Sequence, residues 1–195
     1  MKSILKEILF ILFAVLAAPF TLSYFLISLV INKNESIAFF SQLLSLIPGK
    51  LGAYYRAGFY RFTLQSCSKN AVISFATLLS QHDISIASGV YIGPQCNIGM
   101  CDIKQNVLLG SGVHIMSGAK QHNFDDVNVP IRDQGGSYTK VNIGQNSWVG
   151  NGALIMADVG ENCVVAAGSV VINAVPDNAI VGGNPAKVIK LRTGS

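Results

Sequence analysis

The residues of this 195-residue chain best suited to chemistry are three histidines, four cysteines and one cluster of aspartates. Imidazole is neutral near pH 7 and can still accept a proton from a weak nucleophile. His82 lies where a surface or corner role accounts for it. His114 immediately precedes an aliphatic Ile115, so alternation turns it away from the core, in a structural role. His122 stands apart because it opens the string AKQHNFDDVNVPIRDQGGSYTK, residues 119–140, which also carries Asp125, Asp126, Asp133 and a Gly135-Gly136 hinge. A 22-residue loop inside a compact domain is usually functional or disordered, and this composition suits an ordered flap over a site. Asp125 or Asp126 either orients the His122 ring or belongs to a solvated acidic loop. Cys67, Cys96, Cys101 and Cys163 show no CxxC pair and no metal spacing, so they read as small apolar residues in a reduced compartment.

The elements that must position these residues follow a short period. An aliphatic residue recurs every six positions, often followed by Gly: Ile86, Ile92 and Ile98, then, one register on, Ile103, Leu109 and Ile115. After the excursion the series returns as Ile143, Val149 and Ile155, slips at Ala157-Asp158, and runs on through Val159, Val165 and Val171. Six is neither a helical period nor a plain strand alternation. It describes a coil with three flat sides, each sending one aliphatic residue inward before a corner that needs a small or positive-φ residue. Residues 71–185 then form a mainly β parallel helix of about five coils, with the loop 119–140 projecting from it and residues 186–195 as a tail.

Ahead of the repeat lies a different texture. Ile8 to Ile31 is 24 residues without a charge, about 36 Å of helix and enough to cross a hydrocarbon core of about 30 Å. Residues 1–35 are therefore an α-helical membrane anchor, either a single span or a re-entrant hairpin broken at Ala18-Pro19, which the basic residues on both flanks favour. Residues 36–70 form a helical lead-in. Within it, Ser36 to Pro48 is either an interfacial amphipathic helix or a cover for one end of the next domain. Half the chain is apolar, 12% is charged and the mean hydropathy is +0.45, which excludes a disordered chain. Residues 1–70 hold seven Lys/Arg against two acids, and the remainder seven against eight. A basic excess beside the most apolar segment points to a membrane surface and away from nucleic acid.

The strings VNIGQNSWVGNGALIM, CVVAAGSVV and IVGGNPAKVIK resemble the hexapeptide-repeat acyltransferases, in the branch of xenobiotic, galactoside and polysaccharide O-acetyltransferases. The resemblance covers roughly Ala71 to Leu191, and IPGKLGAYYRAGFYRFTLQSC is similar, more loosely, to the lead-in of exopolysaccharide and O-antigen acetyltransferases. It implies a left-handed coil, a homotrimer with sites between neighbours, acetyl-CoA as cosubstrate and no metal. It also implies residue roles. His122 is the catalytic base, Trp148 walls the acyl or acceptor pocket, and the Asn151 N–H holds the thioester carbonyl. Ala167 faces the pantetheine arm, and Lys187 and Lys190 meet the CoA phosphates, whereas Asn173 stands where relatives often carry a further basic residue.

The expected function is acetyl transfer from acetyl-CoA to a sugar hydroxyl of a cell-surface glycan or its lipid-linked precursor. The catalytic domain would lie on the cytoplasmic face of a bacterial-type inner membrane. No serine or cysteine nucleophile with a base at matching spacing is present, so transfer is expected to be direct. Two rivals remain: a small-molecule acetyltransferase acting on an amino acid or antibiotic, and a non-catalytic β-helical scaffold in polysaccharide assembly.

Overall fold

The computed structural model describes residues 2–192, and residues 193–195 of the expected tail lie outside the described residues. Three helices come first: α1 (Lys2–Ile27), α2 (Lys33–Ser45) and α3 (Gly49–Thr63). Asn32 caps α2 by accepting from the Asn34 N–H at 2.8 Å, and Glu35 complements the dipole in its first turn.

The rest is a left-handed parallel β-solenoid. Its first coil is β1 (Ser66–Cys67), β2 (Val72–Ile73) and β3 (Leu78–Leu79). The second is β4 (Ser85–Ile86), β5 (Tyr91–Ile92) and β6 (Asn97–Ile98); the third is β7 (Cys101–Ile103), β8 (Leu108–Leu109) and β9 (His114–Ile115). After the loop come β10 (Val141–Ile143), β11 (Trp148–Val149) and β12 (Leu154–Ile155). A bridge at Val159 then leads to β13 (Val164–Val165) and β14 (Val170–Val171), and one at Val175 leads to β15 (Ala179–Gly183). Instead of trailing off as a tail, residues 186–191 turn back as β16 (Ala186–Leu191), antiparallel to β15.

There are about six turns where five were expected. The coil already begins at Ser66, inside the stretch expected to be a helical lead-in. Face A carries β1, β4, β7 and β10. Face B carries β2, β5, β8, β11, β13, β15 and β16, and face C carries β3, β6, β9, β12 and β14. Every aliphatic residue of the six-residue series is buried, from Ile86 to Val171. Corners take the positive φ the period demands: Asn106, Asn146 and Asn162 stack at one edge with φ of 58°, 56° and 55°. Their amides bond in a ladder, Asn106 Nδ2 to Asn146 Oδ1 at 3.3 Å and Asn146 Nδ2 to Asn162 Oδ1 at 3.4 Å.

The helices depart from expectation. The break at Ala18-Pro19 does not occur, and α1 runs unbroken through Pro19. Pro19 cannot donate to the carbonyl four residues back. Beside that gap, the Tyr55 hydroxyl donates to the Leu16 carbonyl at 2.6 Å. This bond holds the weakened turn against α3. Helices α1 and α3 lie side by side, with Phe10 and Phe13 against Tyr54 and with Phe20 against Tyr55. At their close approach a Cβ on Gly58 would lie 2.7 Å from the Phe13 carbonyl oxygen, which only glycine avoids.

The reading of Ser36–Pro48 as a cover for the domain's end describes the buried face of α2, which packs with α3 on the first coil. The Ser41 hydroxyl accepts from the Leu79 N–H at 2.7 Å. At the centre Arg56 is fully buried. Its Nε donates to the Ile73 carbonyl at 2.8 Å, and its Nη1 donates to the Leu44 and Ile47 carbonyls at 2.9 Å each. One guanidinium thus closes the C-terminal end of α2 and ties it to β2. Burial depresses its pKa, offset in part by Tyr60.

Replacing Arg56 with Ala removes the side-chain donor from all three carbonyls, of which Leu44 alone keeps backbone N–H partners, and opens a cavity, at a cost of about 3–5 kcal/mol. Arg56→Lys, with a single point of donation, should fall between that variant and wild type in urea unfolding followed by circular dichroism. An unchanged midpoint for Arg56→Ala would show that the carbonyls find other partners.

Candidate functional site

The three faces differ in chemistry. Outward positions on face A are polar: Ser66, Ser85, Asp102 and Asn142 stand in register. Face B presents Val72, Tyr91, Leu108, Trp148, Val164 and Ile180 in one column. Face C is mixed, with Leu78, Asn97, His114, Leu154 and Val170. A cleft of about 420 Å³ opens on face C, lined by Asn97, His114, Leu154, Ser117, Gln121 and Tyr138 among others. Gln121 and Tyr138 come from the two roots of loop 119–140, so the loop overhangs the cleft.

That loop is ordered by its own hydrogen bonds. Its limbs zip together through Asn123 N–H to Gly135 O (2.9 Å) and Ser137 N–H to Lys120 O (2.8 Å). A Cβ on Gly136 would collide with the Gln121 carbonyl, so only glycine lets the limbs close there. Gln134 staples the far end, its Nε2 donating to the carbonyls of Asp126 and Val129 at 2.7 Å each and its Oε1 accepting from the Asp126 N–H at 3.1 Å. A single 3₁₀ turn spans Ile131–Asp133. At the root, Lys140 pairs with Asp102 at 3.2 Å. Burial alone would raise the Asp102 pKa, but the ammonium groups of Lys140 and Lys104 and the neighbouring Ser85 hydroxyl outweigh it and hold it below the usual value.

His122 follows Gln121 on this loop and is solvent-exposed. Among the described residues, no hydrogen bond joins its ring to Asp125 or Asp126. The Asp126 carboxylate instead accepts from the Asn128 N–H at 2.9 Å. At the corner between faces B and C, Asn151 and Ala167 stack one coil apart, with the Gly168 N–H on the Asn151 carbonyl at 2.9 Å. The Asn151 side chain is engaged, its Oδ1 accepting from the Ser111 N–H at 3.0 Å. Within the described residues neither the Asn151 N–H nor the Ala167 N–H has a partner. They are free donors at the rim of face C.

The column continues downward, since Val165 pairs with Val181 and brings Gly183 beneath Ala167. There Lys187 lies opposite Gly182 and Lys190 opposite Ile180, both exposed, around the cis Asn184–Pro185 turn. Asn173 is exposed on the next corner. Trp148 is 53% exposed on face B, so a single chain does not bring it to the His122 loop. Burial raises the pKa of all four thiols, that of Cys67 to about 12, which leaves none of them nucleophilic near neutrality.

Sequence reasoning missed the cleft's own residues. Alternation alone gives His114 a structural role, yet it stands at the cleft with Tyr138 and Gln121. The available signal was its outward position only four residues before the coil breaks at Gly118.

No protein-family model and no curated protein matches the sequence. Among solved structures, a maltose O-acetyltransferase from Clostridium difficile 630 aligns with a TM-score of 0.69 at 24% identity, covering 84% of this chain and 90% of that one. The hexapeptide-repeat-containing acetyltransferase VCA0836 from Vibrio cholerae gives 0.59 at 19% identity, covering 83% and 94%. A mutant form of AntD, an N-acyltransferase from Bacillus cereus in complex with dTDP and coenzyme A, gives 0.55 at 20% identity, covering 64% and 71%. The likeness is one of fold: this chain has the solenoid of hexapeptide-repeat acetyltransferases.

The Gln134 staple makes a direct prediction. Gln134→Ala removes three hydrogen bonds of about 1 kcal/mol each. Limited trypsinolysis at Arg132 should therefore accelerate by at least about tenfold while the solenoid stays intact. Cleavage at the wild-type rate would mean that the limb contacts alone order the loop.

Proposed function

We propose that this chain is a membrane-associated O-acetyltransferase that moves an acetyl group from acetyl-CoA to a sugar hydroxyl of a cell-surface polysaccharide or its lipid-linked precursor. One observation carries the reading: face C is flanked on one side by the free N–H groups of Asn151 and Ala167, and on the other by an ordered loop bearing His122. From Asn151 to Leu154 on that face is about 10 Å of chain. The similar structures include a maltose O-acetyltransferase and an N-acyltransferase with coenzyme A bound, which supports this donor and a sugar-type acceptor.

The chemistry follows from the residues. His122, neutral, accepts the proton of the acceptor hydroxyl as its oxygen attacks the thioester carbonyl. The new C–O bond forms and the carbonyl oxygen gains charge, which the Asn151 N–H stabilises. The C–S bond then breaks, and the imidazolium returns its proton to the CoA thiolate. Ala167 offers its N–H to the pantetheine arm, and Lys187 and Lys190 meet the phosphates as point charges. Trp148 walls the pocket of a neighbouring subunit, and Asp125 and Asp126 set the charge around the loop. The donor is cytosolic, so the solenoid lies on the cytoplasmic side of the inner membrane, and the apolar α1 holds it near a membrane-borne acceptor, raising effective concentration.

His122→Ala should lower turnover by roughly 10²–10⁴ while coenzyme A binding and melting temperature stay near wild type. Transfer of radiolabelled acetyl to purified glycan reads this directly. Near-wild-type turnover would move the base elsewhere, with His114 the first candidate.

The exposed apolar column Tyr91, Leu108 and Trp148 on face B supports a trimer in which one subunit's loop faces its neighbour. Mass photometry in detergent should show a species of three times the chain's 20.8 kDa, plus detergent. Monomers alone at active concentrations would overturn that arrangement.

A further inference from the structure

Helix α1 is long and apolar enough to span a bilayer, with a mean hydropathy of 2.3 over Lys6–Ile27, but its packing points elsewhere. Its residues from Phe10 to Tyr24 lie along α3 and α2, which are themselves bound to the first coil by Arg56 and Ser41. A perpendicular span would have to strip α1 from α3 or draw the coil into lipid.

Charge placement argues the same way. Basic residues follow the seam of α1 along its whole length. Lys6 and Lys50 share a mainly apolar pocket of about 280 Å³ at one end, and Lys33 closes the other end beside Phe25 and Leu29. Between them Arg61 lines a groove with Ile11, Val15, Ala18 and Leu22, at the middle of the apolar run. A spanning α1 would hold Arg61 near the bilayer centre, where cations are strongly disfavoured. Laid flat, α1 keeps Arg61 out of the bilayer centre and leaves its guanidinium within reach of the lipid phosphates. Glu7, the one acid on α1, is already paired with Lys69 at 2.6 Å.

The outer surface is apolar to match. Ile8, Val15 and Leu22, seven residues apart and so on one helix face, are 55%, 64% and 64% exposed. Phe39, Leu43 and Leu46 add a second exposed stripe along and just beyond α2. We propose that α1–α3 form an in-plane platform that docks on one leaflet of an anionic bilayer, apolar stripes in the acyl region and Lys6, Lys50, Arg61 and Lys33 on headgroup phosphates. Both ends of α1 then stay on the solenoid's side of the membrane, with no segment crossing. This inference rests on the membrane association proposed above and fixes its geometry.

The test uses the full chain with Trp148, its one tryptophan, changed to Phe and a single Trp placed at Ile8, Val15 or Leu22. Vesicles of phosphatidylglycerol and phosphatidylcholine carry bromine either near the carbonyl end or near the methyl end of the acyl chains. An in-plane helix gives the same shallow quenching at all three positions, about 5–10 Å below the headgroups. A span places them about 10 Å apart along the membrane normal, and a depth profile graded along the helix would overturn the platform while leaving membrane association standing. No quenching in any vesicle, as when a second copy covers the face, would overturn both. Acetyl transfer by the unsubstituted chain in detergent reads the chemistry independently.

A second arm changes Lys6 and Lys50 to Gln. Each cation near an anionic surface contributes about fivefold to partitioning. The double variant should bind phosphatidylglycerol vesicles about 25-fold more weakly at low salt and pure phosphatidylcholine vesicles as before. Unchanged binding to phosphatidylglycerol would overturn the headgroup contacts.

Discussion

A stack of parallel coils buries one aliphatic column along its axis and leaves that column open at both ends. Covering the first end is the constraint on which the rest depends. Here Ile73 and Leu79 of the first coil would meet water were it not for α2 and α3. Two helices laid across a sheet end bring unpaired carbonyls with them, because the last turn of α2 has no intrahelical donors. Arg56 resolves both problems at once. A fully buried cation is costly by itself, and it is tolerated because its Nε and Nη1 meet three carbonyls, although Nη2 has no partner among the described residues. The same cap then fixes where α1 lies, and so how the whole prism stands relative to any surface that α1 contacts.

The solenoid was legible because a six-residue period imposes itself on every coil, and each aliphatic position foreseen is buried. Corners were legible for the same reason, since asparagine and glycine are the residues that tolerate left-handed backbone at low cost. The first strand of the first coil escaped notice because Ser66 and Cys67 carry no aliphatic signature. The course of α1 was not legible either. A proline inside an apolar run reads as a break, yet the helix runs on through it, with the next carbonyl, that of Leu16, held against α3 by the Tyr55 hydroxyl. Arg56 looked like one more basic residue in a basic segment, because burial is a property of the partner surfaces and not of the residue.

The candidate site was half legible. His122 announced itself by standing in the one long interruption of the repeat, whereas the cleft beside its loop is built from residues of four coils whose adjacency appears only once the coils are stacked. His122 stands on the loop beside face C and Trp148 on face B, so the two lie on different sides of one prism.

The stacked corner of Asn151, Ala167 and Gly183, ending beside Lys187, turns the prism into a ruler whose graduations are whole coils. Each step along it is one strand spacing of about 4.8 Å, fixed by backbone ladders and by the asparagine column on another edge. The reach between the free N–H groups and the terminal lysines can change only by adding or removing a complete turn, never by a fraction. A molecule gripped at both places is measured in discrete lengths, and drift in individual side chains leaves that measure untouched.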